Sequence, residues 1–201
     1  MKDIFLLTAI FFICHGYAQN YYQHVDTVTA DGITFDVHLG GGFSLSNAAN
    51  IYTNEELRYK NGRVLEEDEY DAIDAVRNKG AQNRALLEAL GDEVIKSLRA
   101  YRSPMTLFYV VGPDGSTMEV AFIMSAKPEL LALPPSVFAT LEKKLKQYVT
   151  WQLNDFAKGL EFLHSFNFVF FEDVPLTSEI KVIRNPDLDF IRDGDLSGSL
   201  K

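Results

Sequence analysis

The residues of this chain best suited to chemistry are three of its four histidines and several runs of carboxylates. His24, His38 and His164 fall on separate stretches with no His-x-x-x-His pair, whereas a zinc-type site needs several converging ligands. His38 reads as the polar face of a strand, and His164 as part of a turn before the last strand. Glu66, Glu67, Asp68, Glu69 and Asp71 could gather a cation but read as the solvated start of a helix. Asp187, Asp189, Asp193 and Asp195 invite a calcium reading. The fifth residue from Asp187 is Ile191, where an EF-hand loop needs an oxygen, so they read as a solvated tail. Glu119 and Glu172 would be an acid–base pair on neighbouring strands, but nothing sets them apart from surface residues. No G-x-S-x-G occurs. Gly40-Gly41-Gly42 lacks the Lys-Ser/Thr of a phosphate loop and reads as a flexible connector. The sequence thus assigns no catalytic residue, no cofactor and no metal, and points to a protein without enzymatic activity.

Charge and composition narrow the partners. The net charge is −9, which repels a phosphate backbone, so nucleic acid is not expected. Lys143, Lys144 and Lys146 alternate with Leu141 and Leu145 as the wet face of a helix does. The chain is 47% hydrophobic and 12% aromatic, too apolar for a disordered chain. Lys2, the apolar run Ile4 to Ile13, and Gly16 and Ala18 before Gln19 match a secretory signal peptide. The pattern favours cleavage after Ala18 over lipidation at Cys14, because Phe11-Phe12-Ile13 precede that cysteine instead of small residues. A periplasmic or secreted address follows, with no integral membrane span after cleavage. Cys14 is the only cysteine, so the mature chain would hold no disulfide.

These residues must be positioned by a small set of elements. Asp31-Gly32 is a two-residue hairpin turn that sets Ala30 opposite Ile33 and Val28 opposite Phe35. Ile33, Phe35, Val37 and Leu39 alternate with polar residues, the period of a half-buried strand. Residues 43–60 read as loop or short strands, with a second turn at Asn61-Gly62. Helices are expected over 66–77 and 83–101, the second open to a break at Gly91. Strands follow at 106–111 and 118–124 around Pro113-Asp114-Gly115, with Glu119 on the polar side. A proline-opened helix spans 135–148, and 149–153 is a candidate short strand. The stretch 166–171, nearly all apolar, reads as a strand covered on both sides, and Ile180, Val182 and Ile183 as a last strand. The fold class is α+β: a small, mostly antiparallel sheet with helices packed on one face. The organisation is 1–18 signal, 19–103 hairpin and helical region, 104–174 hairpin–helix–strand unit, and 175–201 extension.

Phe108-Tyr109-Val110-Val111-Gly112-Pro113-Asp114-Gly115, then Met118-Glu119-Val120, Thr150-Trp151 and the strand 166–171 resemble the C-terminal domain of TonB, over about a third of the chain. Tyr17-Ala18-Gln19 followed by Asn20-Tyr21-Tyr22 looks like small secreted Bacteroidota proteins that carry a domain of unknown function, which implies an envelope address. The TonB-like block implies a protein or peptide partner of the envelope, bound by strand addition at an exposed sheet edge, with Phe166, Phe168, Val169 and Phe170 as the contact residues. Two other readings stand beside it. One is a secreted hydrolase or glycan-binding protein acting on envelope polysaccharide, which would gather Glu119, Glu172 or His164 in a cleft. The other is a protein that stabilises an assembly by self-association, its oligomeric state left open. Phe166, Phe168, Phe170 and Phe171, with Phe108, Tyr109 and Phe122, are expected to build the core. Exposed contacts are sought first at Tyr21, Tyr22, Tyr52 and Tyr59.

Overall fold

The computed structural model describes residues 20–102 and 104–183. The expected signal segment, Cys14 and the acidic stretch 187–195 lie outside the described residues. The chain opens on β1 (Thr27–Ala30) and β2 (Ile33–Leu39). Asp31 and Gly32 take φ of 51° and 78° between them, as a primed turn requires. Ala30 pairs with Ile33 and Val28 with Phe35, the expected register. β2 then turns through 40–42 into β3 (Phe43–Asn47), which the unpatterned sequence left as loop or short strand.

The span expected as one helix over 66–77 divides. Glu67–Ala72 is a single 3-10 stretch, closed at its start by reciprocal bonds between Glu66 and Glu69, and β4 (Ala75–Arg77) follows. Acidic residues complement any helical first turn, so they could not distinguish this short turn from a longer helix. α1 (Lys79–Tyr101) begins where the Asn78 side chain accepts from the Ala81 N–H, and Gly91 breaks it at φ 75°, ψ 164°. The break rotates the two halves. Leu86, Leu90, Ile95 and Leu98 are buried, while Tyr101 at the end of α1 is exposed.

β5 (Met105–Val111) and β6 (Thr117–Met124) form the expected hairpin. After α2 (Pro128–Leu131) comes α3 (Pro135–Tyr148), with the span read from its prolines and Phe138, Leu141 and Leu145 buried. β7 (Trp151–Leu153) pairs only with β4, making a separate two-stranded sheet. α4 (Asp155–Lys158) leads to β8 (Leu163–Val169) and a 3-10 turn at Phe171–Asp173. Where a last strand was expected, α5 (Thr177–Ile183) is helical instead. The Glu179 carboxylate accepts from the Leu176 N–H at 2.7 Å and binds the Arg99 guanidinium of α1, which stabilises a first helical turn.

The main sheet runs β1-β2-β3-β6-β5-β8, every pairing antiparallel. β3 joins the N-terminal hairpin to β6, which makes one six-stranded sheet. α1 and α3 cover one face. There Tyr22, Phe35, Phe43, Phe122 and Phe138 pack ring to ring, and Tyr109 stacks edge-on against Trp151 at 5.3 Å. The α+β class and the helix-covered sheet are as the sequence predicted. No helix among the described residues is long and apolar enough to cross a membrane.

Arg99 ties α5 and the 3-10 turn to α1. It donates to the Phe171 and Val174 carbonyls and to Glu179. The Arg99 guanidinium, and then the Leu176 N–H, hold the Glu179 carboxyl down at about 2 from its ordinary 4.5. A depressed acid contributes its full share above its unfolded value and loses it as the pH falls through the folded one. The docking of α5 should therefore be intact above about pH 4.5 and weaken toward pH 2. Hydrogen exchange at 177–183 across that range checks this, and protection independent of pH would refute it.

Candidate functional site: the free edge of the sheet

The outer face of the sheet, away from the helices, is graded. In register across β6, β5 and β8 stand Glu119, Val110 and His164, then Ala121, Phe108 and Phe166, then Ile123, Thr106 and Phe168. The first row is covered. Glu119, only 6% exposed, accepts from the Ile51 N–H at 2.7 Å, the Tyr52 N–H at 3.0 Å and the Thr53 hydroxyl at 2.8 Å. That carboxylate fastens the 48–57 loop over the sheet, and the Tyr52 ring closes on Phe162 at 4.7 Å. The far end is bare: Phe166 of the middle row is 61% exposed, and Phe168 and Ile123 of the last row are 65% and 41% exposed.

Glu119 is thus not the outward polar residue the alternation suggested. Its side of β6 is the outer face, but a loop covers that face there. His164 is likewise not in a turn; it lies on β8. Its Nε2 bonds the Tyr52 carbonyl at 2.9 Å. Burial pulls its pKa below the ordinary imidazole value, with that carbonyl and the Glu119 charge opposing. Glu119 and His164 therefore meet around Tyr52, but the carboxylate is spent on loop donors. Glu172 sits apart on the exposed 3-10 turn. No group of three His, Cys, Asp or Glu suited to a metal occurs among the described residues.

The expected contact residues divide by face. Phe166 and Phe168 stand on the outer face, whereas Val169 is 3% exposed with its side chain in the core. Phe170, 53% exposed, follows the strand rather than belonging to it. The core expectation for Phe166, Phe168 and Phe170 is overturned; Phe108, Tyr109, Phe122 and Phe171 are buried as expected. The physical cause lies on the inner face. Asn167 points to the helices because the buried Gln82 of α1 donates to its Oδ1 at 3.0 Å, while the Gln82 oxygen accepts from the Tyr109 hydroxyl at 2.8 Å. A polar residue turned inward sends its aromatic neighbours outward. Of the tyrosines expected outside, Tyr22 is fully buried and donates to the Leu133 carbonyl at 2.7 Å. Tyr21, Tyr52 and Tyr59 pack partly against the core.

Among the described residues β8 pairs only with β5, which leaves its other edge unpaired by them, and β4 pairs only with β7. Two cavities open between these strands. One, of about 470 Å³, lies against residues 163–166 and is walled by Glu55, Glu56, Tyr70 and Ala75. The other, of about 370 Å³, lies against 167–170 and is walled by Arg77, Lys79 and Gln82. β4 therefore runs alongside β8 in the same direction, with a groove between. Arg77 went unnoticed in the sequence because 66–77 read as a helix face, and Lys79 and Gln82 because they fall between the two expected helices. Asn78, a good helix N-cap, was the available sign that a new helix begins there.

These features define an α+β protein with a six-stranded antiparallel sheet whose last strand carries a free edge beside a second, two-stranded sheet. No family model and no curated protein matches the sequence. Among solved structures, a DUF5043 family protein from Bacteroides uniformis is similar, with a TM-score of 0.61 at 18% identity, covering 74% of this chain and 86% of that one. At that identity the likeness shows a shared fold.

Proposed function

We propose that this chain is an exported envelope protein without enzymatic activity that captures a protein or peptide partner by strand addition to β8. The observation that carries the reading is an edge strand paired on one side only among the described residues, with Phe166 and Phe168 bare beside it. An unpaired edge offers a row of N–H and C=O groups, and the neighbouring rings supply apolar contact for alternate side chains of an added strand. The TonB-like hairpin–helix–strand block, with β8 laid beside β5, and the signal-like start of the sequence support the same reading.

The test is capture from envelope extract by the tagged protein and by a Phe166→Ser/Phe168→Ser variant. Both rings face solvent, so the variant should keep its melting temperature. One saturable protein partner should bind the wild type and lose about tenfold or more in affinity to the variant, as truncation of aromatic contact residues does. Undiminished capture would remove β8 from the site. Retention on peptidoglycan with no protein partner would make the same rings a glycan platform, the second reading that their exposure favours. Val169→Pro is a poorer probe, because that side chain is in the core and its loss would report on folding.

A further inference from the structure

We infer that the groove between β8 and β4 selects an acidic side chain on the added strand, received by Arg77 and Lys79 in the cavity beside residues 167–170; the inference rests on the strand-addition reading above. The cavity of about 370 Å³ is lined by both cations. Arg58, Arg63, Arg84 and Arg99 each sit in an ion pair with a carboxylate. Arg77 sits in none among the described residues, and its Nη1 is shut off from solvent with no hydrogen-bond partner. Burial depresses the Arg77 pKa, a sign of a charge held away from water without compensation, though a guanidinium stays protonated all the same.

Gln82 spends its amide on Asn167 and Tyr109, and Asn167 spends its oxygen on Gln82. Among the charged groups that line this end, the cations Arg77 and Lys79 outnumber the one carboxylate, Asp173, so the cavity carries a net positive charge. Asp173 also lines the cavity but forms no ion pair with either cation among the described residues. A net positive cavity favours an anionic side chain, and a carboxylate accepts charge-assisted bonds from a guanidinium.

Geometry selects the position on the strand. Every pairing in the main sheet is antiparallel, the slightly more stable arrangement per residue. A strand antiparallel to β8 lays its N-terminal half beside 167–170 and its C-terminal half beside 163–166. The second end is acidic: Glu55 and Glu56 line its cavity, and Glu56 carries no ion pair among the described residues. The ligand is therefore an extended segment with Asp or Glu first and Lys or Arg about four residues later, on the same face of the strand. A strand running parallel to β8 would need the reverse order.

The test is selection of random octapeptides on the immobilised protein, followed by synthesis of the enriched peptides in three forms: as selected, with the acid changed to the amide, and with the two charges exchanged. Enriched peptides should carry acid before base. The amide form should bind about tenfold more weakly, the ratio expected when one charge-assisted hydrogen bond is lost. Arg77→Gln should erase the difference between acid and amide. Lys79→Glu, a change at an exposed residue that tests the cavity even if Arg77→Gln fails to fold, should turn the preference toward base-first peptides. Enriched peptides with no charge order that still lose binding on Phe166→Ser/Phe168→Ser would overturn this inference and leave strand addition standing. Base-first selection by the wild type would overturn the antiparallel assignment and with it the proposal. No enrichment at all would overturn both readings together.

Discussion

Glu119→Ala should lower the unfolding free energy by about 3–4 kcal/mol, the sum expected when two backbone N–H groups lose a buried, charged acceptor. For a domain of this size that is a fall of about 10 °C in Tm. The donors are the Ile51 and Tyr52 amides, joined by the Thr53 hydroxyl. A hydroxyl can turn to water, but two backbone amides fixed over the sheet cannot. Removing the carboxylate also frees the Tyr52 carbonyl and ring, which hold His164 and Phe162. Glu119→Gln keeps one acceptor oxygen and should lose about half as much. Urea denaturation gives the two values, and hydrogen exchange at Ile51 and Tyr52 reports whether the loop has opened. A loss below about 1 kcal/mol in the alanine variant, with both amides still protected, would show that this carboxylate does not hold the loop.

Glu119 also marks where the sequence stops being legible. Elements set by local chemistry were readable. Asp31-Gly32 adopts the only backbone such a turn allows, and the pairing of Val28 with Phe35 follows from it. Pro135 opens a helix whose apolar spacing runs unbroken to Tyr148, and Gly91 breaks α1 at the point its residue type permits. What could not be read is which side of a strand another part of the chain would cover. On β6 the alternation placed Glu119 in solvent, yet a loop sixty-odd positions earlier in the chain supplies its donors. On β8 the aromatic run looked buried on both sides, yet Gln82 turns Asn167 inward and leaves Phe166 and Phe168 bare. In both cases a tertiary hydrogen bond reverses what alternation alone predicts. The groove was invisible for the same reason, since it needs β4 to pair with β7, as Val76 does with Gln152, far along the chain.

Gly115→Ala should cost about 3–4 kcal/mol, combining left-handed backbone strain with an overpacking term. It should also disturb the groove at a distance. Gly115 has φ +82°, and a Cβ there would lie 2.3 Å from the Trp151 carbonyl oxygen. That atom is backbone and cannot swing aside. The neighbouring contacts bind the same place: the Trp151 N–H donates to the Gly115 carbonyl at 2.9 Å, and the Trp151 indole donates to the Thr117 hydroxyl at 3.1 Å. Pushing Trp151 outward displaces β7, hence β4 through the pairing of Trp151 with Arg77, and so the guanidinium that walls the cavity beside 167–170. Gly32→Ala is the control. Its φ is +78° with nothing within 4 Å of the added carbon, so it carries backbone strain alone, about 1–2 kcal/mol. Trp151 is the only tryptophan, so its fluorescence reads the displacement directly. The Gly115 variant should shift the emission and weaken peptide binding, while the Gly32 variant does neither. Equal losses in the two variants with unchanged emission would mean that the turn yields without moving Trp151, and that the hairpin does not brace the groove.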